Sequence, residues 1–370
     1  MTSKRRPAPL NRLAPLMLAL ACFGAPPAQA QPMGADGSDF LYRVVKGDIL
    51  LEISRRFTDS AGNWPVLQHI NQVADTYKLP IGKVLRIPFS MIPEVDAPAR
   101  LVHVRGAVRV NGRLAQAGDD LPQGGTLVTP PGGFATLQLS DGSTLTLPAN
   151  STIVLERLQA FKGTGLTDTI VSIEDGSLES VVSPEDTGVG RFEVRTPVAI
   201  TGVRGTRLRV HKDDEVARTE VLEGVAHTRA SSTGQAMLRS GHGVTARSDG
   251  VLGAVRPLPA APALSVPVRG PQGWQAEFPA VPGAVAYLVR VAGDPLGTRL
   301  LSSERRDSAG QVTFSAGRPG THYVLVRAID RDGLMGPDAV QPFEGRVSLL
   351  SSDGNPVGTG YGDTVTLNEY

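Results

Sequence analysis

Between residues 100 and 250 no stretch of ten residues keeps apolar side chains at helical spacing, while alternating apolar positions repeatedly run into turn dipeptides. Val108 and Val110 precede Asn111-Gly112. Leu137 and Leu139 precede Asp141-Gly142, with Leu145 and Leu147 beyond it. A side-chain period of two broken by Asn-Gly or Asp-Gly predicts β-hairpins, because these dipeptides accept the positive φ that tight hairpin turns require. Ile170, Val171 and Ile173 leading to Asp175-Gly176, and Val221, Leu222 and Val225 around Glu223-Gly224, carry the same signature. SDGS at 140–143 and EDGS at 174–177 hint at a repeat. This part of the chain is expected to be nearly all β, a sandwich or a coiled stack of strands.

The beginning of the chain is built differently. Lys4, Arg5, Arg6 and Arg12 precede an apolar run over 13–25 and the segment PPAQAQ, in which Ala28 and Ala30 form a small-x-small cleavage signal. These features predict a secretory signal peptide over residues 1–30, cleaved after Ala30. The run is too short for a bilayer span, which takes about 20 apolar residues. An alternative is lipid attachment at Cys22, since ALAC at 19–22 loosely resembles a bacterial lipobox. Removing residues 1–30 leaves 33 Lys+Arg against 36 Asp+Glu, a formal charge of −3. Such a balance excludes the basic footprint that a nucleic-acid polymer demands. With Cys22 the only cysteine, internal disulfides and multi-cysteine zinc sites are excluded as well. The expected location is the periplasm, with no transmembrane span in the mature chain.

Residues 40–90 show helical periodicity. Tyr42 and Val44 read as a strand ending in the turn Gly47-Asp48, where the Asp48 carboxylate can accept from the free N–H groups of a helix start. Ile49, Leu50, Ile53 and Phe57 then recur on one helical face, with Glu52, Arg55 and Arg56 on the other. Trp64, Leu67, Ile70 and Val73 make a second helix that tolerates Pro65 in its first turn. Residues 84–87 close the unit as a strand before Pro88. YRVVKGDILLEISRRF at 42–57, Asn71, and LPIGKVLRIP at 79–88 together resemble a LysM module. The resemblance implies a βααβ fold and binding of N-acetylglucosamine-containing glycan, peptidoglycan in a bacterium. By position its groove would be lined by Gly47, Asp48, Ile49 and Leu50 on one side and by Asn71, Leu79, Pro80 and Ile81 on the other. Ile49 stands where the family usually has Thr. Three or four backbone hydrogen bonds to acetamido groups give about 2 to 6 kcal/mol. A single module is therefore a weak, millimolar to micromolar tether.

LVTPPGGFATLQLSDGSTLTLPANS at 127–151 and FEVRTPVAITGVRGTRLRV at 192–210 resemble the periplasmic domain of the FecR family across residues 104–210. The resemblance implies a non-catalytic extracytoplasmic β-domain, in its named member part of a signal relay. Gly202 and Gly205 bracket Val203-Arg204, where a tight bend is expected. Arg204 is the candidate contact for a partner carboxylate. Arg195, Arg207 and Arg209, followed by Asp213, Asp214 and Glu215, are expected to ion-pair on a solvated face.

After the Pro-rich stretch 251–267, GWQAEFPAVPGAVAYLVRVAGD at 273–294 and GTHYVLVRAIDRDGLMGP at 320–337 resemble a fibronectin type III-like domain. Trp274, Phe278, Tyr287, Val289, Val291, Tyr323, Leu325 and Ile329 would supply its core. The resulting scheme is mainly β: signal peptide 1–30, βααβ LysM module 40–90, linker 91–100, FecR-like all-β domain 101–250, linker 251–267, β-sandwich 268–343 and tail 344–370.

Catalytic constellations are missing from this pattern. The mature chain has no thiol nucleophile. Its histidines, at 69, 103, 211, 227, 242 and 322, lack HxH or HExxH spacing, so no metal site is expected. No GxSxG elbow occurs, and no SxxK with a matching KTG. No cofactor is implied. The expected function is a non-catalytic periplasmic peptidoglycan-binding adaptor with an envelope protein as second partner. The alternative is a FecR-like signalling component acting on a separate membrane regulator, and a wall hydrolase ranks behind both.

Overall fold

The computed structural model describes residues 32–182, 189–213, 216–345, 347–348 and 366–367. The signal peptide, its cleavage site, Cys22 and most of the 344–370 tail lie outside the described residues. No helix among the described residues is long and apolar enough to cross a membrane. The chain is mainly β, with a small unit of strands and helices at its start.

That unit comprises β1 (Pro32–Asp36), β2 (Asp39–Arg43), α1 (Leu50–Thr58), α2 (Trp64–Ile70) and β3 (Val84–Pro88). The two helices and the strands flanking them follow the apolar spacing. β1, which pairs antiparallel with β2, extends the sheet to the order β1-β2-β3 beyond the expected pattern. Leu50, Ile53, Ser54 and Phe57 form the buried stripe of α1. Phe57 meets both Phe40 and Tyr42 at 5.1 Å between ring centroids, locking the helix onto β2.

A single ladder of sixteen strands follows, wrapped around one apolar core that reaches from Ala99 to Val244. The Asn111-Gly112 and Asp141-Gly142 dipeptides turn hairpins, Arg109–Val110 onto Arg113–Leu114 and Phe134–Gln138 onto Thr144–Leu147. Asp175-Gly176 and Glu223-Gly224 do not. They lie inside the unbroken strands Thr167–Val181 and Val216–Ala230. Up to Asp175 the first of these strands pairs with Ser151–Phe161 and Val189–Arg195. From Gly176 onward it pairs with Ala199–Lys212 instead. Gly176 makes the change possible at φ +81°, where an added Cβ would come within 2.2 Å of the Asn150 carbonyl oxygen. A left-handed glycine suits a β-bulge as well as a turn, and a second set of partner strands decides between them. The bend expected at Gly202–Gly205 is likewise a bulge within Ala199–Lys212, its register slipping between Arg204 and Arg207.

The C-terminal domain is a β-sandwich. One sheet holds Val268–Gly270, Gly273–Phe278 and Gly310–Phe314. The other runs Leu300–Arg306, Ala284–Ala292, Gly320–Asp330, Ala339–Gly345. Phe278, Tyr287, Val289 and Val291 enter its core as expected. Along Gly320–Asp330, however, Val324, Val326 and Ala328 face that core, while Leu325 joins Phe134 of the middle domain. The expected parity of this strand is therefore reversed. Tyr323 and Leu325 make the second face largely apolar as well, apart from the buried Arg327, because the middle domain covers it, so alternation could not show which face points inward.

Two seams hold the middle domain. At the N-terminal seam Phe161 and Leu166 join the module's own apolar core, and Phe161 packs on Phe89 at 4.3 Å between centroids. Lys162 pairs with Asp59 at 2.7 Å at the seam's exposed margin. Residues 91–100 are paired chain rather than free linker, since Glu94–Asp96 adds to the strand Ser151–Phe161.

The C-terminal seam joins a small apolar cluster, Phe134 against Leu300 and Leu325, to a set of buried ions. Arg327, buried from solvent, donates to Glu179 at 2.8 Å and to Asp338 at 2.9 Å. Arg290 reaches the same two carboxylates at 3.1 and 2.7 Å. Arg209 and Glu220, 4% and 2% exposed, lie 2.9 Å apart in an orientation poor for a hydrogen bond. Each instead ties down the far domain. Arg209 donates to the carbonyls of Met335 and Gly336, both at 2.8 Å, and the Met335 N–H donates to Glu220 at 2.6 Å. The expectation that Arg209 sits on a solvated face is thus corrected: the C-terminal domain covers it. Arg195 does pair locally, with Glu193 at 2.7 Å and Glu156 at 3.0 Å.

Burial opposes the charge on Glu179, but Arg327 and Arg209 outweigh it and hold this carboxyl below its ordinary range. At Glu220 burial wins over Arg209 and raises the carboxyl. Burial, reinforced by Arg327, lowers Arg209.

Candidate functional site

The residues expected to line a glycan groove lie on two neighbouring segments, or lips, of the N-terminal module. The first is the turn after β2. Gly47, at φ +94°, takes the left-handed conformation this turn needs. Asp48 accepts from the Val45 N–H at 2.8 Å and from the Tyr42 hydroxyl at 2.7 Å. It does not cap α1 as expected: the N-cap is Ile49, without a side-chain bond. The turn is tight enough that the carboxylate reaches back toward β2 rather than forward to the helix. Burial and the bond to Asp48 push the Tyr42 hydroxyl up to about 12, so the phenol stays protonated and donates.

The second lip is the segment 72–83. Two backbone ties bring it against the first. The Leu50 N–H donates to Thr76 at 3.0 Å, and Val44 exchanges bonds with Gly82 and Lys83, each at 2.9 Å. Asn71 is consumed by this construction. Its amide donates to the carbonyls of Leu67 and Arg86, at 2.9 and 2.8 Å, while its oxygen accepts from the Arg86 N–H at 2.7 Å. Leu50 and Leu79 are buried beneath the lips.

Of the eight residues expected to line the groove, Gly47, Pro80 and Ile81 are exposed and Ile49 is half-buried. Ile81 is 70% exposed. The sequence reading missed Tyr77, which stands 72% exposed on the second lip. An aromatic in a loop rich in polar residues was the available signal. Exposed aromatic and aliphatic faces beside main-chain donors and acceptors suit a sugar ring, which has apolar C–H faces and polar acetamido edges.

Arg204 lies on the strand Ala199–Lys212 opposite Val225. Its side chain is outside the described residues. A Ser-His-Asp grouping, invisible in sequence, occurs in the middle domain. The Ser177 hydroxyl and His211 Nδ1 are 2.5 Å apart as cross-strand neighbours, and His211 Nε2 is 3.9 Å from Asp213. Asp213 lies 2.6 Å from Arg218, so its charge orients a guanidinium rather than the imidazole. Burial, then Arg218, lowers the His211 pKa. Among the described residues no group of three or more His, Asp or Glu could hold a metal ion.

Comparisons with known proteins agree with the N-terminal and middle geometry. The family model described as LysM domain matches residues 42–88. The one described as FecR protein matches residues 125–227. No curated protein matches the chain. Two crystal structures of a candidate anti-sigma factor from Parabacteroides distasonis are similar over part of the fold, at 18% and 19% identity with TM-scores of 0.30 and 0.29. Each comparison covers 36% of this chain and 59% of that one, so the chain spans less than two thirds of the structures it matches.

Proposed function

We propose that the protein is a non-catalytic periplasmic adaptor, in which the LysM module tethers it to peptidoglycan and the β-domains present surfaces to an envelope protein. The carrying observation is the LysM match over residues 42–88 together with two backbone-tied lips that leave Gly47, Ile49, Pro80 and Ile81 open to a glycan strand. Many adjacent sites along the polymer favour rebinding, so a weak site still retains the protein at the wall. Residues 268–343 serve as a fibronectin type III-like spacer in this reading. A second reading, favoured by the FecR match, is an envelope signalling component that acts on a separate membrane regulator.

Ile81→Asp places a charge on an exposed groove position and leaves the core untouched. Sedimentation of the mature protein with purified sacculi should fall at least tenfold, with an unchanged unfolding midpoint. Retention equal to wild type would reject the tether. Zymography on wall material tests the hydrolase alternative, and co-purification with an inner-membrane regulator tests the signalling one.

A further inference from the structure

The middle domain carries a hollow that the wall-binding reading does not use. On the outward face of Ala199–Lys212, Val216–Ala230 and Gln235–Arg239, the pairings make rows across the strands. Ile200, Arg229 and Gln235 form one row, and Gly202, His227 and Met237 the next, followed by Val225 opposite Arg239. Thr201, Val203, Ala226 and Leu238 point to the opposite, buried side. Three hollows of about 590, 510 and 560 Å³ lie along this face. Gly202 and His227 are shared by the first two, and Ile200, Arg229 and Gln235 by the last two. They form one continuous trough, overhung at one end by Gly37 in the β1–β2 turn of the N-terminal module.

Gly202 sits at the middle of the trough, and nothing in the fold requires a glycine there. Its φ is not left-handed, its pairing is regular, and a Cβ would meet nothing within 4 Å. A β-branched residue would fit and would strengthen the strand. A glycine inside a strand without such a need marks a place where another chain or ligand comes close to the backbone.

The walls specify the visitor. Met237 is 52% and Val225 38% exposed, and Ile200 is half-buried, which gives an aliphatic floor. Among the described residues no exposed Phe, Tyr or Trp lines the trough to stack a sugar. The acid on its lip, Glu193, is neutralised by Arg195 at 2.7 Å. The Arg229 and Arg239 side chains are exposed and make no ion pair or hydrogen bond among the described residues. Unspent guanidiniums beside aliphatic side chains complement carboxylates alternating with aliphatic groups. From Ile200 to Arg204 the strand advances about 13 Å, so four to six extended residues fit.

We propose that this trough docks an extended segment of a partner protein in which acidic and aliphatic residues alternate, with its backbone lying over Gly202 and its carboxylates on Arg229 and Arg239. The proposal is independent of glycan binding by the N-terminal module.

The test is selection of a random linear octapeptide library on the immobilised mature chain, followed by affinity measurement of the enriched peptides. Enriched sequences should alternate Asp or Glu with aliphatic residues. Gly202→Val, which fills the trough without straining the strand, should weaken them at least tenfold with an equal or higher unfolding midpoint. The double variant Arg229→Glu/Arg239→Glu should lose them and select Lys- and Arg-bearing peptides instead, a gain that misfolding cannot imitate. Ile81→Asp, remote from the trough, should leave the affinity for these peptides as it is. Failure to enrich, enrichment without an acidic bias, or peptides indifferent to both variants would overturn the proposal. So would binding of soluble muropeptides that Gly202→Val abolishes and Ile81→Asp does not.

Discussion

The two seams of the middle domain solve one problem, attaching a neighbour firmly, with different chemistry: the first is mainly apolar, and the second adds buried ion pairs to a smaller apolar cluster. At the N-terminal seam Phe161 and Leu166 extend an apolar core already present in the module, and the ion pair Lys162–Asp59 is half-exposed. Apolar burial is non-directional, so this seam is strong and indifferent to small shifts in geometry. At the C-terminal seam Arg209, Arg290 and Arg327 meet Glu179, Glu220 and Asp338 out of solvent. Buried pairs gain little net stability, because desolvation offsets attraction, yet they penalise any arrangement that leaves one charge alone. Apolar burial holds the domains together at both seams, and the buried ions of the second also fix the register there.

The sharpest way to break this contrast is Arg327→Met. It leaves Glu179 and Asp338 to share Arg290 alone and should cost about 3 kcal/mol, read from urea unfolding. A loss as small as that of an exposed pair would show that the seam admits water and does not enforce register. Phe161→Ala should cost about 3 kcal/mol. Its unfolding should show the N-terminal module loosening first, with new proteolytic cleavage within residues 91–100 and unchanged protection at 320–345.

The smallest effect is a pH dependence. Glu179 has a depressed folded pKa. Its contribution is therefore complete above the ordinary glutamate value of 4.5 and fades as pH falls through the lower folded value. Glu220 is raised, so its contribution is complete below 4.5 and fades as pH climbs through the higher folded value. Glu220→Gln should flatten the stability profile on the neutral side of 4.5 and leave the acid limb intact. Urea midpoints measured across both limbs would show this, and an unaltered neutral limb would mean that Glu220 titrates normally.

The same contrast explains what could be read from the residues alone. The N-terminal module was legible down to its helices because one face of each element is wet, and spacing such as 50, 53, 57 then reports the buried side. Gly224 and Gly176 looked like hairpin turns because the dipeptide records only a positive φ. Whether the strand reverses or continues depends on partners far away in sequence. Arg290 and Arg327 carried no local sign of burial, since Glu179, the acid they meet across the seam, lies 111 and 148 positions distant. Within the groove, position alone grouped the eight residues. Only coordinates separate Asn71, which is spent on Leu67 and Arg86, from Ile81, which is open.

Gly176 deserves a last consequence. One strand serves two different neighbourhoods on either side of it, so the middle domain has no waist where half could melt while the other half survives. Damage at that glycine would be felt by both halves together, and a load pulling on either end would meet an all-or-none body rather than a series of yielding links.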